Sequence, residues 1–215
     1  MKENIFDDLY KALINYDEVL VKNLAIESIK EGIDPIETIS VLRKGISEIG
    51  DKFQKGEAWL PDLMLAAKTM EIGMGPLQNE IEAKGIKRSS LGKVVIGTVF
   101  GDLHSIGKGM VSTLISANGF EVVDLGINVD SKKFIDAIQK YNPDILAMSA
   151  LLTTTAPEME RVIKAVNEAG IRNKIKIMVG GGSITQEFAE RIGADGYEPT
   201  AVLAVSLAKK FLNIN

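Results

Sequence analysis

The hydrophobic pattern of this 215-residue chain changes period once, between about residues 83 and 92, and that change constrains the fold more than any other feature. Before it, apolar residues recur at helical spacing. Phe6, Leu9, Tyr10 and Leu13 form one face, and Leu24, Ala25 and Ile29 continue it in a second segment that Asp17 is placed to cap. A third helix is predicted to start at Asp34-Pro35-Ile36-Glu37, with Asp34 as cap, Pro35 in the first turn and Glu37 completing a capping box. Its face runs through Ile39, Leu42, Ile46, Ile49 and Phe53. After Gly56, Pro61 opens a fourth helix whose face is read as Met64, Ala67, Met70, Met74, Leu77 and Ile81. Four short-looped amphipathic helices predict a small bundle.

The stretch from Ala83 to Gly92 is polar and glycine-bearing, which reads as a linker. Beyond it, strands are predicted at Lys93–Phe100, Glu121–Asp124, Ile145–Ser149, Lys176–Val179 and Gly196–Tyr197, with a helix between each pair and one closing the chain after Thr200. Strand–helix alternation with short connections predicts a doubly wound parallel sheet of the Rossmann-like or flavodoxin-like kind. The expected architecture is therefore α/β, with a helical bundle over residues 1–84 and the sheet domain over 92–215. Ligands bind such sheets at the carboxyl ends of the strands. The loops after the first, third and fourth strands are where chemistry is expected.

Composition narrows that chemistry. The formal net charge is −4, so there is no basic surplus for nucleic acid or anionic lipid. No apolar run approaches the ~20 residues that span a bilayer, and Met1-Lys2-Glu3-Asn4 carries no secretory core, so a cytoplasmic protein is expected. Cysteine is absent and histidine occurs once, which removes disulfides, iron–sulfur clusters and structural zinc. One imidazole builds no transition-metal cage. A metal that meets it arrives held by a macrocycle and needs only an axial ligand.

The loop after the first strand reads Gly101-Asp102-Leu103-His104-Ser105-Ile106-Gly107, with the sole histidine two residues after an aspartate. A carboxylate that accepts from one ring nitrogen fixes the tautomer and makes the other a better metal donor. After the third strand comes Ser149-Ala150-Leu151-Leu152-Thr153-Thr154-Thr155, a hydroxyl cluster suited to a ligand's polar edge. After the fourth comes Gly180-Gly181-Gly182-Ser183, where missing side chains let a bulky group approach the backbone. Taken singly, these read equally as a packed histidine, a turn and a phosphate loop.

Together, Asp102-x-His104-x-x-Gly107, Ser149-x-Leu151 and Gly180-Gly181 resemble the signature of the cobalamin-binding domain shared by methionine synthase and the corrinoid methyl carriers. Gly50-x-x-Phe53-x-x-Gly56-Glu57-x-x-Leu60-Pro61 resembles the helical cap that precedes that domain. Gln186-Glu187-Phe188-Ala189 and Gly193-Ala194-Asp195-Gly196-Tyr197 are similar to the corrinoid proteins of methylamine and methanol methyltransferase systems. The nearest family by resemblance is the methyltransferase cognate corrinoid proteins.

That resemblance implies a cobalamin cofactor, methylated on cobalt in its loaded state, with His104 as the lower axial ligand in place of dimethylbenzimidazole. It implies that Asp102 holds the other ring nitrogen and that Thr155 completes a His–Asp–hydroxyl relay. Ser149, Leu151 and Thr153 would face the corrin and its nucleotide tail, and Gly107, Gly180 and Gly181 would line the tail's slot. Ser105, Ile106 and Tyr197 fall in the matched motifs and are carried over as cofactor-lining residues. Gly182-Ser183 departs from the expected Ala-Pro. Trp59, with Leu60, Met64 and Met70, is the expected apolar lid over cobalt, although Met64 and Met70 read equally well as bundle core.

The function so implied is a methyl carrier without a catalytic pocket of its own. It would take a methyl group from a substrate-specific methyltransferase and yield it to an acceptor methyltransferase, with a reductive activator as a further partner. A B12-dependent sensor and an adenosylcobalamin mutase subunit share the binding loops. The sensor would bring a basic DNA-binding segment and the mutase a barrel domain, and neither pattern is present. A flavodoxin-like module without a corrinoid explains the fold alone.

Overall fold

The computed structural model describes residues 2–85 and 90–214, and the chain divides into two compact units, residues 1–89 and 90–215. The first unit is helical: α1 (Lys2–Ile14), α2 (Glu18–Lys30), α3 (Pro35–Gln54) and α4 (Leu60–Ala83). Asp17 caps α2 by accepting from the Leu20 N–H, and Asp34 caps α3 by accepting from Ile36 N–H, both at 2.9 Å. Glu37 makes no capping box and instead pairs with Lys2. The α4 face departs from the expected one at Met64. Leu63, Ala66, Ala67, Met70, Leu77 and Ile81 are buried, Met74 is half-buried, and Met64 is 58% exposed. Leu63 stands about five whole turns before Ile81, which centres it on the inward stripe and leaves Met64 about 100° off it.

The second unit carries β1 (Lys93–Thr98), β2 (Glu121–Asp124), β3 (Ile145–Ser149), β4 (Lys176–Gly180) and β5 (Gly196–Tyr197). They form one parallel sheet of order β2-β1-β3-β4-β5. Between and after them run α5 (Ile106–Ala117), α6 (Ser131–Tyr141), α7 (Pro157–Glu168), α8 (Gln186–Ile192) and α9 (Ala201–Phe211). Thr200, Thr185 and Asp130 cap three of these helices with side-chain oxygens. β1 ends two residues earlier than its apolar run suggests. Val99 makes only an isolated bridge to Val129, and Phe100 turns out to solvent.

Alternation along the strands separates the two faces. Val95, Leu146, Met148, Ile177 and Val179 share a buried cluster with Phe134 of α6, Met159 and Val162 of α7, and Ile192 of α8. Ile96, Ala147 and Met178 are buried on the opposite face, where a side chain at the adjoining Gly196 would run into Leu207 and Phe211 of α9. α5 packs against α9 and covers that face with it. Of the proposed linker, residues 86–89 lie outside the described residues. Its last part is tied to β2, because Glu121 N–H donates to the Gly92 carbonyl at 2.9 Å and to Ser90 Oγ at 3.1 Å.

Strand order reverses direction at β1, with β2 on one side and β3 on the other. The β1 and β3 exits therefore diverge at a topological switch point, where such sheets open a crevice.

Candidate functional site

β1 leaves the sheet through a tight turn in which Asp102 N–H donates to the Val99 carbonyl at 3.2 Å. Gly101 sits at its third position with φ +77°, a backbone that glycine adopts without strain. The turn delivers Asp102 to a fully buried position. Its Oδ1 accepts from His104 N–H at 3.0 Å and lies 2.8 Å from His104 Nδ1. Its Oδ2 accepts from Thr155 Oγ1 at 2.7 Å and from Leu151 N–H at 2.8 Å, both on the β3 exit.

Burial alone pushes the Asp102 carboxyl up, but the hydrogen bonds from Thr155, His104 N–H, the His104 ring and Leu151 N–H outweigh it. The group is held well below the usual carboxylate range. An ionised Asp102 can only accept, so Nδ1 of His104 carries the proton between them. The Nε2 lone pair is thereby left for a ligand, on a ring that is about half exposed. Chemically, this presents one oriented ring nitrogen from the carboxyl edge of a sheet.

Parallel register places Thr98, Ser149 and Gly180 side by side at the ends of β1, β3 and β4, on the α5/α9 face. The row lacks bulk, and Ser149 and Gly180 are only half-buried in the middle of the sheet. At Gly107, in the first turn of α5, an added Cβ would meet nothing within 4 Å. The glycine run after β4 divides in role. A Cβ on Gly181, whose φ is +129°, would lie 2.0 Å from the Ala150 carbonyl oxygen, so that glycine is required by its own neighbour on the β3 exit. Gly180 has only the Glu198 carbonyl oxygen at 3.4 Å, so there the small residue leaves room.

The other expected residues spread around this core. Ser105 is the exposed N-cap residue of α5 and makes no side-chain cap bond. Thr153 is exposed on the β3 exit. Leu103, Ile106 and Leu151 expose apolar side chains from two of the loops. Tyr197 is not gathered with the rest: it pairs with Val179 and packs half-buried against the hydrophobic cluster. β5 lies three strands from β1, roughly 14 Å at usual strand spacing. Trp59 belongs to the helical unit, where it is 76% exposed at the N-cap of α4 and its N–H donates to Asp62 at 2.7 Å. Met70 is fully buried in that unit's core, so the core reading holds for it.

Sequence reasoning missed Thr98. Its buried hydroxyl donates to the His104 carbonyl at 3.0 Å and so fixes the loop from beneath. A lone hydroxyl at the end of the apolar run Val94-Val95-Ile96 was the available signal.

These features fit a corrinoid. No group of three or more His, Cys, Asp or Glu among the described residues is placed to hold a metal ion, so a metal at His104 would come with its own macrocycle. The apolar side chains around the imidazole suit a flat ring, and the row free of bulk suits an appended tail. Ser183 Oγ, just past the glycine run, is buried without a hydrogen-bond partner, as a site shaped for a missing group would leave it.

Comparison with known proteins agrees. Profiles of the B12 binding domain match residues 92–206 and, in a second form, residues 5–78. The chain is 41% identical to trimethylamine corrinoid protein 1 of Methanosarcina acetivorans over 212 residues, covering 98% of both chains. It is 40% identical to the dimethylamine corrinoid protein of Methanosarcina barkeri, covering 98% of this chain and 99% of the other. Among solved structures, the methanol:cobalamin methyltransferase complex of Methanosarcina barkeri contains a chain that superposes with a TM-score of 0.87 at 32% identity, covering 99% of this chain and 81% of that one. A cobalamin-binding protein of Desulfitobacterium hafniense superposes with a TM-score of 0.79 at 29% identity, covering 96% and 98%. With both of its units matched in this way, the chain belongs to the family of methyltransferase cognate corrinoid proteins.

Proposed function

We propose that this protein carries methyl groups on a bound corrinoid, with His104 Nε2 as the lower axial ligand of cobalt. The observation that carries the assignment is the Asp102–His104 pair, which commits Nδ1 to the protein and leaves Nε2 for the metal. The relatives named for methylamines, and the methanol-system chain that superposes on this one, support the carrier role over a mutase subunit or a sensor. When bound, the corrinoid supplies the nucleophilic metal on which the methyl group rides.

The chain's own residues then have distinct tasks. Asp102 holds the Nδ1 proton and fixes the ring plane. Thr155 and Leu151 N–H keep Asp102 ionised, and Thr98 holds the His104 carbonyl. Ser149, Thr153, Gly107, Gly180 and Gly181 border the nucleotide tail, while Ser105, Ile106 and Leu151 border the ring. Trp59 supplies apolar cover that excludes water from the metal's upper face. Residues 1–84 act as the cap domain and 92–215 as the corrinoid-binding domain, which folds and binds cofactor by itself.

The donor partner is a substrate-specific methyltransferase acting on a methylamine or methanol, and the acceptor partner is a second methyltransferase. A reductive activator restores the metal when it is oxidised. Among the described residues no helix is long and apolar enough to cross a membrane, and the cytoplasm is the proposed setting.

The test is His104→Ala, read in the cobalt(II) state. Wild-type holoprotein should show nitrogen hyperfine splitting from a histidine, and the variant should fold, retain corrinoid and lose the splitting. Persistence of the splitting would end the ligand assignment.

A further inference from the structure

We propose that Asn128, in the loop after β2, is the residue that positions Asp102 and, through it, the His104 ring. This deepens the reading of His104 as metal ligand and rests on it. The two halves of Asp102 are held by different strands. Its carboxylate is held from the β3 exit by Leu151 N–H and Thr155, whereas its backbone is held from the β2 exit.

The β2 exit forms a short ladder with β1 after the sheet proper has ended. Thr98 N–H donates to the Gly126 carbonyl at 3.0 Å, and Val129 N–H donates to the Thr98 carbonyl at 2.9 Å. Asn128 closes the ladder at its outer end in both directions. Its Oδ1 accepts from Gly101 N–H at 2.7 Å, and its own N–H donates to the Asp102 carbonyl at 3.1 Å. One residue therefore grips the peptide before Gly101 and the peptide after Asp102, bracketing the two residues that deliver the carboxylate.

Asn128 does this from a left-handed backbone, φ +53°, which asparagine tolerates better than most residues. Nearby, Asp124 Oδ1 accepts from Gly126 N–H at 2.8 Å and Oδ2 meets the buried Lys108 ammonium at 2.5 Å, which ties the same loop to α5. Without the Asn128 carboxamide, the Gly101 N–H loses its acceptor at the point where the chain reverses. The Asp102 carboxylate would still be held by β3, and its N–H and carbonyl by Val99 and the residue-128 N–H, but the turn at Gly101 would lose its outer anchor, and the 2.8 Å contact to Nδ1 depends on how that turn sets the carboxylate.

The chain has a single histidine, so its ring nitrogens can be read without ambiguity in a 15N-labelled full-length apoprotein, at a pH where the ring is neutral. The wild type should show the proton on Nδ1. Asn128→Gly keeps access to positive φ and deletes only the carboxamide. It should raise the population of the Nε2–H tautomer several-fold and speed Gly101 amide exchange about tenfold or more, while the Val95 and Leu146 amides stay protected. Asn128→Asp keeps an oxygen for Gly101 N–H and should hold the wild-type tautomer.

Three results would overturn the proposal: a wild-type tautomer ratio in Asn128→Gly, equal loss of protection at Val95 and Leu146, or a tautomer shift in Asn128→Asp as large as in Asn128→Gly. Because these readings use apoprotein, they stand apart from the ligand assignment. Absence of histidine hyperfine from wild-type holoprotein would strike that assignment alone.

Discussion

The buried polar groups of the two units differ in kind. In the helical unit the fully buried polar residues are hydroxyls: Ser28 donates to the Ala25 carbonyl at 2.8 Å, Thr69 donates to the Leu65 carbonyl at 2.8 Å, and Thr38 reaches Ser28 of the neighbouring helix at 3.3 Å, while the half-buried Arg43 contributes a buried Nε. In the sheet unit, Thr98, Asp102, Lys108 and Thr155 are buried together around the strands' carboxyl ends, and two of them are charged. A hydroxyl bonded within its own helix costs little to bury, whereas a charge must be matched on every side. The expensive groups sit where His104 must be held still, and the inexpensive ones merely fill a bundle.

Removing Asp102 should break this contrast most sharply if it is wrong. Asp102→Ala strands the Leu151 N–H and Thr155 donors in a buried place, at about 1–3 kcal/mol each. The sheet unit should lose about 4 kcal/mol in urea unfolding. The pH dependence has a definite sign. A carboxyl whose folded pKa is depressed contributes stability above its unfolded value, near 3.9, and loses it as pH falls further toward the folded value. The gap between wild type and Asp102→Asn should therefore be flat from neutral pH to about 5 and narrow in stronger acid. A gap that widened in acid would mean Asp102 is not ionised in the fold.

Gly181→Ala should come next. The new Cβ must clear the Ala150 carbonyl oxygen from a backbone at φ +129°, so the variant should lose roughly 2–3 kcal/mol in the same assay. Ser28→Ala in the helical unit should cost about 1 kcal/mol or less, since its partner is a helix carbonyl that already has a backbone donor. Equal losses at Ser28 and Asp102 would erase the distinction between the two units.

What the sequence made legible follows the same division. The helix period, the Asp17 and Asp34 caps and the strand runs at residues 121–124 and 145–149 are local, and the structure keeps them. The Asp102-x-His104 pairing was also legible, because a two-residue spacing on a tight turn leaves the ring little choice. Thr98 and Asn128 were not. One acts on a carbonyl six residues away and the other across two strand exits, and no spacing in the chain encodes those meetings. Of the expected α4 face only Met64 went astray, because Met and Leu carry similar hydrophobic weight and only counting whole turns back from Ile81 separates Leu63 from Met64. Tyr197 failed to join the site for a related reason. β5 lies beside β4 and its glycine loop, but strand alternation turns the Tyr197 ring into the hydrophobic cluster, three strands from β1.

The smallest effect on stability should come from Trp59, and it bears on whether the helical unit contributes to the site at all. The indole is 76% exposed and makes no side-chain cap bond, while the backbone N–H it offers to Asp62 would survive any substitution except proline. Trp59→Ala should change unfolding stability by no more than about 0.5 kcal/mol. The role proposed for the indole is apolar cover over a bound corrinoid. Trp59 is the sole tryptophan, so its emission reports on this place only. Corrinoid binding should quench it strongly, since the ring absorbs where indole emits and the transfer falls steeply with distance. Reduced Trp59→Ala holoprotein should also be reoxidised by oxygen several-fold faster than wild type, with corrinoid affinity little changed. Undiminished Trp59 emission in the loaded protein, together with an unchanged reoxidation rate in the variant, would remove the tryptophan from the site and leave the sheet unit as its sole architect.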